Sequence, residues 1–538
     1  MQVIIPMSGV GKRFLDSGYE DPKPLIQVDG HPMIKHVIGL FPTEENFMFI
    51  CNEKHLKETR MNSILKELAP NSTIFSVPEK SKRGPVEVVS SIEHSIKDDE
   101  ESIVSYCDYG TRWDYQKFKK YVKNNNLDGC IVCYKGFHPH MLGTDHYAYV
   151  KNDGLNALEI REKSPFTENK MDEYASNGTY YFSSGKILKK YFKELIDSGK
   201  TVNNEFYVSM VYNLMIRDGL KVGIFEIENM LQWGTPFDLE TYKSWSNYFE
   251  NVIVAQTKIS CPKDTTLVLP MAGRGSRFSE ENYELPKPML DVNGLPMVVQ
   301  AVKCLPDCDK NIFICLDEHC EKYNLEETLD ENFVNTSIVK IKETTKGQAC
   351  TCEIGINACQ IDPEKPILIS ACDNGVYYDA DECSLLMSDE DIDVIVWSFR
   401  NNQTSKINPN MYSWLEVDEK NFIRHVSCKN FKYDNPLKTH AIIGTMFFRK
   451  AKYFLDGLKL NYSKNITTNN EFYVDDVINQ NIKNDLKVKV FEVKNYICWG
   501  TPNDYKTYLY WRNFFDKCEW HPYRIDKDIT YSLNQLQS

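Results

Sequence analysis

The sequence predicts an α/β protein made of two tandem, doubly wound domains with mixed, mostly parallel sheets. Three observations lead there. The chain has 538 residues, too many for one compact core. Strand-like and helix-like stretches alternate along it. The alternation is also written twice, since "VIIPMSGVGKRF" begins at Val3 and "LVLPMAGRGSRF" at Leu267.

Residues 3–42 align on 267–306 without a gap, and 16 of the 40 positions are identical, among them Pro6/Pro270, Arg13/Arg277, Lys23/Lys287 and Pro24/Pro288. Farther on, "YCDYG" at 106–110 faces "ACDNG" at 371–375, "NNEFYV" at 203–208 recurs at 469–474, and "WGTP" at 233–236 recurs at 499–502. A repeat of about 265 residues is a whole domain, because solenoid repeats run to only ~20–50 residues. The expected domains are 1–250 and 265–512, with a linker at 251–264 and a tail at 513–538. Within the first, "VIIPM" reads as a strand, "HPMIKHVIGLF" as a helix, "FMFIC" as a strand and "KHLKETRMNSILKEL" as a helix. "STIFSV" follows as a strand, "PVEVVSSIEHSI" as a helix and "SIVSY" as a strand. Ligands of such sheets sit at the carboxyl ends of the strands. That rule places Gly9, Gly11, Arg13 and Asp108 on one rim.

Composition narrows the function. A net charge of -13 argues against a nucleic-acid binder, which needs a basic face. No basic start with a long apolar run is present, and no apolar stretch reaches the ~18–20 residues of a membrane span. A cytoplasmic protein is expected. Seventeen cysteines read as free thiols, the number being odd and no secretion signal visible. Cys130 and Cys133 form a lone C-x-x-C in a strand-like stretch, with no second pair to complete a zinc site.

The glycines and basic residues need a ligand to explain them. Gly9-Val10-Gly11 and Gly273-Arg274-Gly275 let backbone N–H groups approach an anion. Phe14 and Phe278 stand where a dinucleotide fingerprint needs its third glycine, and no Walker loop is present. Arg13 can hold a polyphosphate through its planar fork, and Lys23, between Pro22 and Pro24, offers a compact charge. Either residue alone would be solvated surface; the pair at identical spacing in both halves points to phosphate. Asp108 and Asp373 each end an apolar strand and suit Mg²⁺, which takes one or two carboxylates plus substrate phosphates. Asp114 and Asp379 read as a second acid or a helix cap. These parts fit nucleotidyl transfer, in which a phosphate monoester attacks the α-phosphate of a nucleoside triphosphate. The nucleophile's second pKa is about 6, so no general base is required.

With those motifs in view, both halves resemble the sugar-1-phosphate nucleotidyltransferases and the related bacterial phosphocholine cytidylyltransferases. The G-x-G-x-R…P-K-P signature is the most specific part. The resemblance implies a Rossmann-like fold, Mg²⁺, a nucleoside triphosphate and a phosphorylated sugar or small phosphomonoester as partners, and a role in surface glycan or capsule synthesis. It implies Arg13, Lys23, Arg277 and Lys287 as catalytic residues, and Asp108 and Asp373 as metal ligands. Nucleotide contacts would come from Met7, Ser8, Gly9, Gly11, Glu79 and Gly84, and from Met271, Ala272, Gly273, Gly275, Glu343 and Gly347. Acceptor contacts would come from Glu162, Lys163, Asn204 and Glu205, and from Lys429, Asn470 and Glu471. A carboxylate at Glu79 or Glu343 could accept from the amino group of cytosine or guanine. Two departures stand out: Gln232 and Cys498 replace an aspartate that is a second metal ligand in many members, and Cys428 replaces the acid of the Glu-Lys pair. A glycosyltransferase and a non-catalytic nucleotide-sugar-binding protein remain as alternatives. The glycosyltransferase would need an Asp-x-Asp at the metal, which "CDYG" and "CDNG" lack; "DEDID" contains Asp391-x-Asp393, in a stretch that reads as a charged surface loop.

Overall fold

A computed structural model describes residues 1–78, 83–254 and 257–530 and divides into two compact units, Met1–Lys243 and Ser244–Ser538. The division falls inside the helix Pro236–Asn251.

The first unit is built on a nine-stranded sheet. Its order is Thr73–Val77, Asn46–Asn52, Gln2–Met7, Ser102–Ser105, Tyr174–Phe182, Gly129–Tyr134, Val222–Glu226, Asn156–Glu162 and Ala148–Asp153. The first four strands run parallel, linked by helices. Alternate side chains of each strand enter opposite cores: Val3, Ile5 and Phe49 pack in one hydrophobic cluster, Ile4 and Ile50 in another. That is the pattern of a sheet covered on both faces.

The rest of the sheet departs from the mostly parallel expectation. Tyr174–Phe182 runs antiparallel to both neighbours, Ser102–Ser105 and Gly129–Tyr134. Ala148–Asp153 and Asn156–Glu162 form a hairpin around Gly154, whose φ is 55°. A parallel pair needs a long crossover, whereas a tight glycine turn returns the chain at once. The stretch read as one helix at 54–68 is two, Glu53–Glu58 and Met61–Leu68. Thr59 breaks it: its backbone is extended, and its hydroxyl donates to the His55 carbonyl while accepting from Met61 N–H.

The second unit has the same order over seven strands: Thr336–Ile341, Lys310–Leu316, Thr266–Pro270, Ile367–Ile369, His440–Phe448, Val394–Phe399 and Val488–Glu492. Trp414–Val417 pairs with Ile423–Ser427 and with His440–Phe448. The helix Pro502–Lys517 carries the packed chain past residue 512, and Tyr523 beyond it is fully buried.

Cys130 and Cys133 lie on the strand Gly129–Tyr134 but enter opposite cores, so they cannot share one metal ion. Burial raises both thiols above their ordinary range. Among the described residues no helix is long and apolar enough to cross a membrane.

Candidate functional site

The glycine turn follows the strand Gln2–Met7, and Asp108 follows its parallel neighbour Ser102–Ser105. Both therefore stand at the carboxyl edge of the sheet, where they border a cleft of about 630 Å³. Met7, Ser8, Gly9, Gly11, Arg13, Lys23, Gly84, Asp108, Glu162, Lys163 and Glu205 all line it. Asn204 does not border the cleft; with Asn203 it makes a turn in which both residues have positive φ. Asparagine tolerates that region better than other side chains. Glu79 lies outside the described residues.

Gly11 caps the short helix Lys12–Asp16 in the left-handed region, φ 70°, and a Cβ there would meet Lys23 Cβ at 3.5 Å. Gly275 repeats this, with φ 61° and a Cβ 3.3 Å from Lys287 Cβ. Gly9 and Gly273 instead face open space, nothing lying within 4 Å of an added Cβ. The first glycine of each turn is thus free to meet a ligand, while the second seats the lysine. Arg13 and Arg277 are exposed beside these turns.

Each lysine reaches its strand-end aspartate. Lys23 pairs with Asp108 and donates to the Gly234 carbonyl at 3.1 Å. Lys287 pairs with Asp373 at 2.6 Å. Burial opposes the charge on Lys287, but Asp373 prevails and holds the ammonium above the usual lysine range. A Cβ at Gly234 would stand 3.2 Å from Asp108 Oδ2, and one at Gly500 3.2 Å from Asp373 Oδ2. The "WGTP" glycine is therefore set by proximity to the carboxylate.

Two further carboxylates belong to this region, and "GTPFD" and "GTPND" were the signal for them. Asp238 and Thr235 bond reciprocally: the threonine hydroxyl donates to Asp238 Oδ2 at 2.6 Å and accepts from Asp238 N–H. Burial pushes Asp238 up to about 6, and the charge of Asp108 adds to the rise, against Thr235, Lys23 and Arg13. Asp504 repeats this with Thr501, and burial and Asp373 raise it as well. Cys498 is bonded to Asp504 Oδ2 at 3.5 Å. By contrast, Asp114 and Asp379 cap helices, accepting from the backbone of Lys117 and Glu382. Asp391 is a surface residue paired with Lys487 at 3.3 Å.

Gly84 and Gly347 have positive φ, and an added Cβ would strike backbone: Phe206 at 2.9 Å and Phe472 at 2.5 Å. Phe206 N–H donates to Arg83 and its carbonyl accepts from Val86; Phe472 does the same with Lys346 and Ala349. This clasp ties the segment expected near the base to the loop carrying Asn204–Glu205 or Asn470–Glu471. Glu343 is exposed after the strand Thr336–Ile341.

Around the pair expected to bind the acceptor, Ser209 donates to Glu162 Oε2 at 2.6 Å, and burial raises the Glu162 carboxyl. Lys163 Nζ donates to Tyr207 Oη at 2.6 Å, and Tyr207 donates to Glu205. Tyr207 was not read from the sequence, although "FYV" occurs in both halves. Lys163 sits at φ 58° and Lys429 at φ 49°, a region costly for lysine.

Residues 2–216 match the family model described as nucleotidyl transferase. The match lies within the first unit. No curated protein matches the chain significantly. Among solved structures, the chain is similar to a nucleoside-diphosphate-sugar pyrophosphorylase from Vibrio cholerae RC9, at 19% identity over 45% of this chain and 99% of that one, with a TM-score of 0.38. It is also similar to the inositol-1-phosphate CTP transferase from T. maritima, at 18% identity over 45% and 93%, with a TM-score of 0.36. A UDP-glucose pyrophosphorylase from Acinetobacter baumanii gives 15% identity over 46% and 93%, with a TM-score of 0.35.

Proposed function

We propose that the protein is a Mg²⁺-dependent nucleotidyltransferase with one site in each of two tandem domains. Each site would join the nucleoside monophosphate of a triphosphate to a sugar 1-phosphate or similar phosphomonoester, releasing pyrophosphate. One observation carries the reading: an arginine after a glycine turn, a lysine seated on that turn and a strand-end aspartate recur as Arg13, Lys23 and Asp108 and as Arg277, Lys287 and Asp373.

The acceptor phosphate oxygen attacks the α-phosphorus, the bond to the bridging oxygen breaks, and that oxygen leaves with pyrophosphate. Gly9 leaves room for phosphate oxygens against the backbone. Arg13 holds the triphosphate and Lys23 neutralises the reacting phosphates, so the work is alignment and charge compensation. The donor set fits Mg²⁺. Lys23 already sits as a cation between the Asp108 carboxylate and the Gly234 carbonyl, and Asp238 is a second carboxylate raised in part by Asp108. Asp108 and Asp373 would hold the ion, which supplies charge neutralisation at the phosphates when bound.

The test is pyrophosphate release by the intact protein with Mg²⁺, using ATP, CTP, GTP and UTP against hexose 1-phosphates, inositol 1-phosphate and phosphocholine. At least one pair should turn over. Nucleotide binding without turnover would mark a binding protein, and sugar transfer to a hydroxyl a glycosyltransferase.

A further inference from the structure

The two units differ at the acceptor end in a way that cancels. In the first unit the strand Asn156–Glu162 ends in Glu162, which accepts from Ser209 at the start of the helix Val208–Arg217. In the second unit the strand position is Cys428 and the helix position is Asp475, set by the shared "NNEFYV" that precedes Ser209 and Asp475. An acid facing a serine has become a thiol facing an acid.

The register behind this comparison is held by hydrogen bonds. Asn213 clasps Ile160, accepting from its N–H at 2.9 Å and donating to its carbonyl at 2.8 Å. Asn479 clasps Val426 in the same way, at 2.9 Å for both bonds. Each asparagine stands four residues after the position in question on the helix, and each clasped residue two before it on the strand. Strand and helix therefore meet in the same register in both units. The lysine that follows is kept as well: Lys163 and Lys429 share the left-handed backbone, and each ammonium lies over a tyrosine ring, Tyr207 at 4.5 Å and Tyr473 at 5.7 Å. A strained lysine preserved with its ring is hard to explain if the acid beside it is simply lost.

We propose that Asp475 supplies in the second unit the carboxylate that Glu162 supplies in the first, so that the second unit keeps an acid–lysine pair for a hydroxyl-bearing phosphomonoester. Asp475 is buried, Lys429 and Ser413 favour its charged form, and its charge, together with that of Asp476, is felt at Cys428. The surroundings set a different acceptor shape. The strand register sets Trp414 against Tyr149, so Tyr412 keeps the place of Tyr147, whereas Ala371 stands in "ACDNG" where Tyr106 stands in "YCDYG". One tyrosine side chain that lines the first cleft, Tyr106, thus gives way to a small one. A carboxylate displaced from the strand to the helix, with that space opened, suits a bulkier acceptor than the first unit takes. A site that hydrogen-bonds hydroxyls rejects an acceptor lacking them, because its buried polar groups are left unpaired.

This inference rests on the reading of the clefts as nucleotidyl-transfer sites, and the experiment separates the two. Lys23→Ala lowers the first site's turnover about a hundredfold, so turnover in that full-length background is dominated by the second, with the same triphosphate and acceptor panel. Adding Asp475→Asn should raise the acceptor KM about tenfold or more while leaving the triphosphate KM within about twofold. Moving the carboxylate back, with Cys428→Glu and Asp475→Ser together, should recover turnover and shift preference toward the first unit's acceptor. Thermal melting of each variant checks folding, and Asp→Asn keeps the shape. An unchanged acceptor KM, or equal rises in both KM values, overturns the inference, as does complete loss of turnover in Lys23→Ala when the natural chain is active. A natural chain inert across the panel overturns the underlying reading itself.

Discussion

Lys287 Nζ lies 2.6 Å from Asp373 Oδ2, with both side chains about three-quarters buried. In the proposed reaction a phosphate would take the place of the aspartate at the lysine. Removing one charge among several on the reacting phosphates costs about 3 kcal/mol of transition-state stabilisation, roughly a hundredfold in kcat. Lys23→Ala and Lys287→Ala, assayed separately, should each lose about that much, and on different acceptors. Equal losses on the same acceptors would mean redundant or coupled sites.

The two kinds of glycine in each half should behave oppositely. Gly84→Ala and Gly347→Ala force a Cβ into the backbone of Phe206 and Phe472 at positive φ, and should cost about 3 kcal/mol in denaturant unfolding. Gly9→Ala meets nothing within 4 Å, so stability should move by less than about 0.5 kcal/mol. Its triphosphate KM should rise instead, because the methyl group fills the space a phosphate oxygen would use. A Gly9→Ala protein with unchanged KM would remove this turn from the nucleotide site.

Acid should weaken both units. Burial lowers His138 to about 4, and burial with the charge of Arg400 lowers His440 to about 4. Each imidazole is neutral in the folded chain, while the unfolded chain takes up the proton near pH 6.5. The stability each contributes is therefore complete above about pH 6.5 and is lost as pH falls toward 4, at up to about 1.4 kcal/mol per pH unit per group. The melting temperature should drop across that window. His138→Phe should flatten the slope; an unchanged slope would show that carboxylates dominate it.

Much of the site was legible because its chemistry is local. Arg13, Lys23 and Asp108 sit at fixed distances from recognisable strand ends, and a spacing repeated in two halves reveals them without a structure. Glu162 and Lys163 were legible only through the family resemblance, since the second half has Cys428 in the acid's place. Asp475 was not, because the acid reappears on a different element: Glu162 and Ser209 are 47 residues apart, and only the pairing of strand with helix shows that one position answers for the other. Gly84 and Gly347 could be found as glycines, but what demands them is the backbone of Phe206 and Phe472, which no local pattern announces. The antiparallel course of Tyr174–Phe182 was hidden likewise, since a fully buried strand reads as a continuous apolar run in either direction.

Asp238 carries the last prediction. Gln232 and Cys498 stand where a second metal-binding aspartate is expected, while Asp238 feels the charge of Asp108 and is buried in its bond with Thr235. If Asp238 helps hold Mg²⁺, Asp238→Asn should raise the Mg²⁺ concentration for half-maximal turnover about tenfold, since outer contacts to a metal site cost ten- to a hundredfold. Asparagine keeps an oxygen for the Thr235 hydroxyl, so the melting temperature without Mg²⁺ should hold or rise, a buried charge having been removed. The stabilisation gained on adding Mg²⁺ should shrink at the same time. Asp114→Asn, changed only at a helix cap, is the control and should leave the Mg²⁺ titration where it is. An Asp238→Asn protein with the natural Mg²⁺ requirement and an unaltered melting shift would restrict this residue to its helix, and leave Asp108 as the metal's sole carboxylate in that unit.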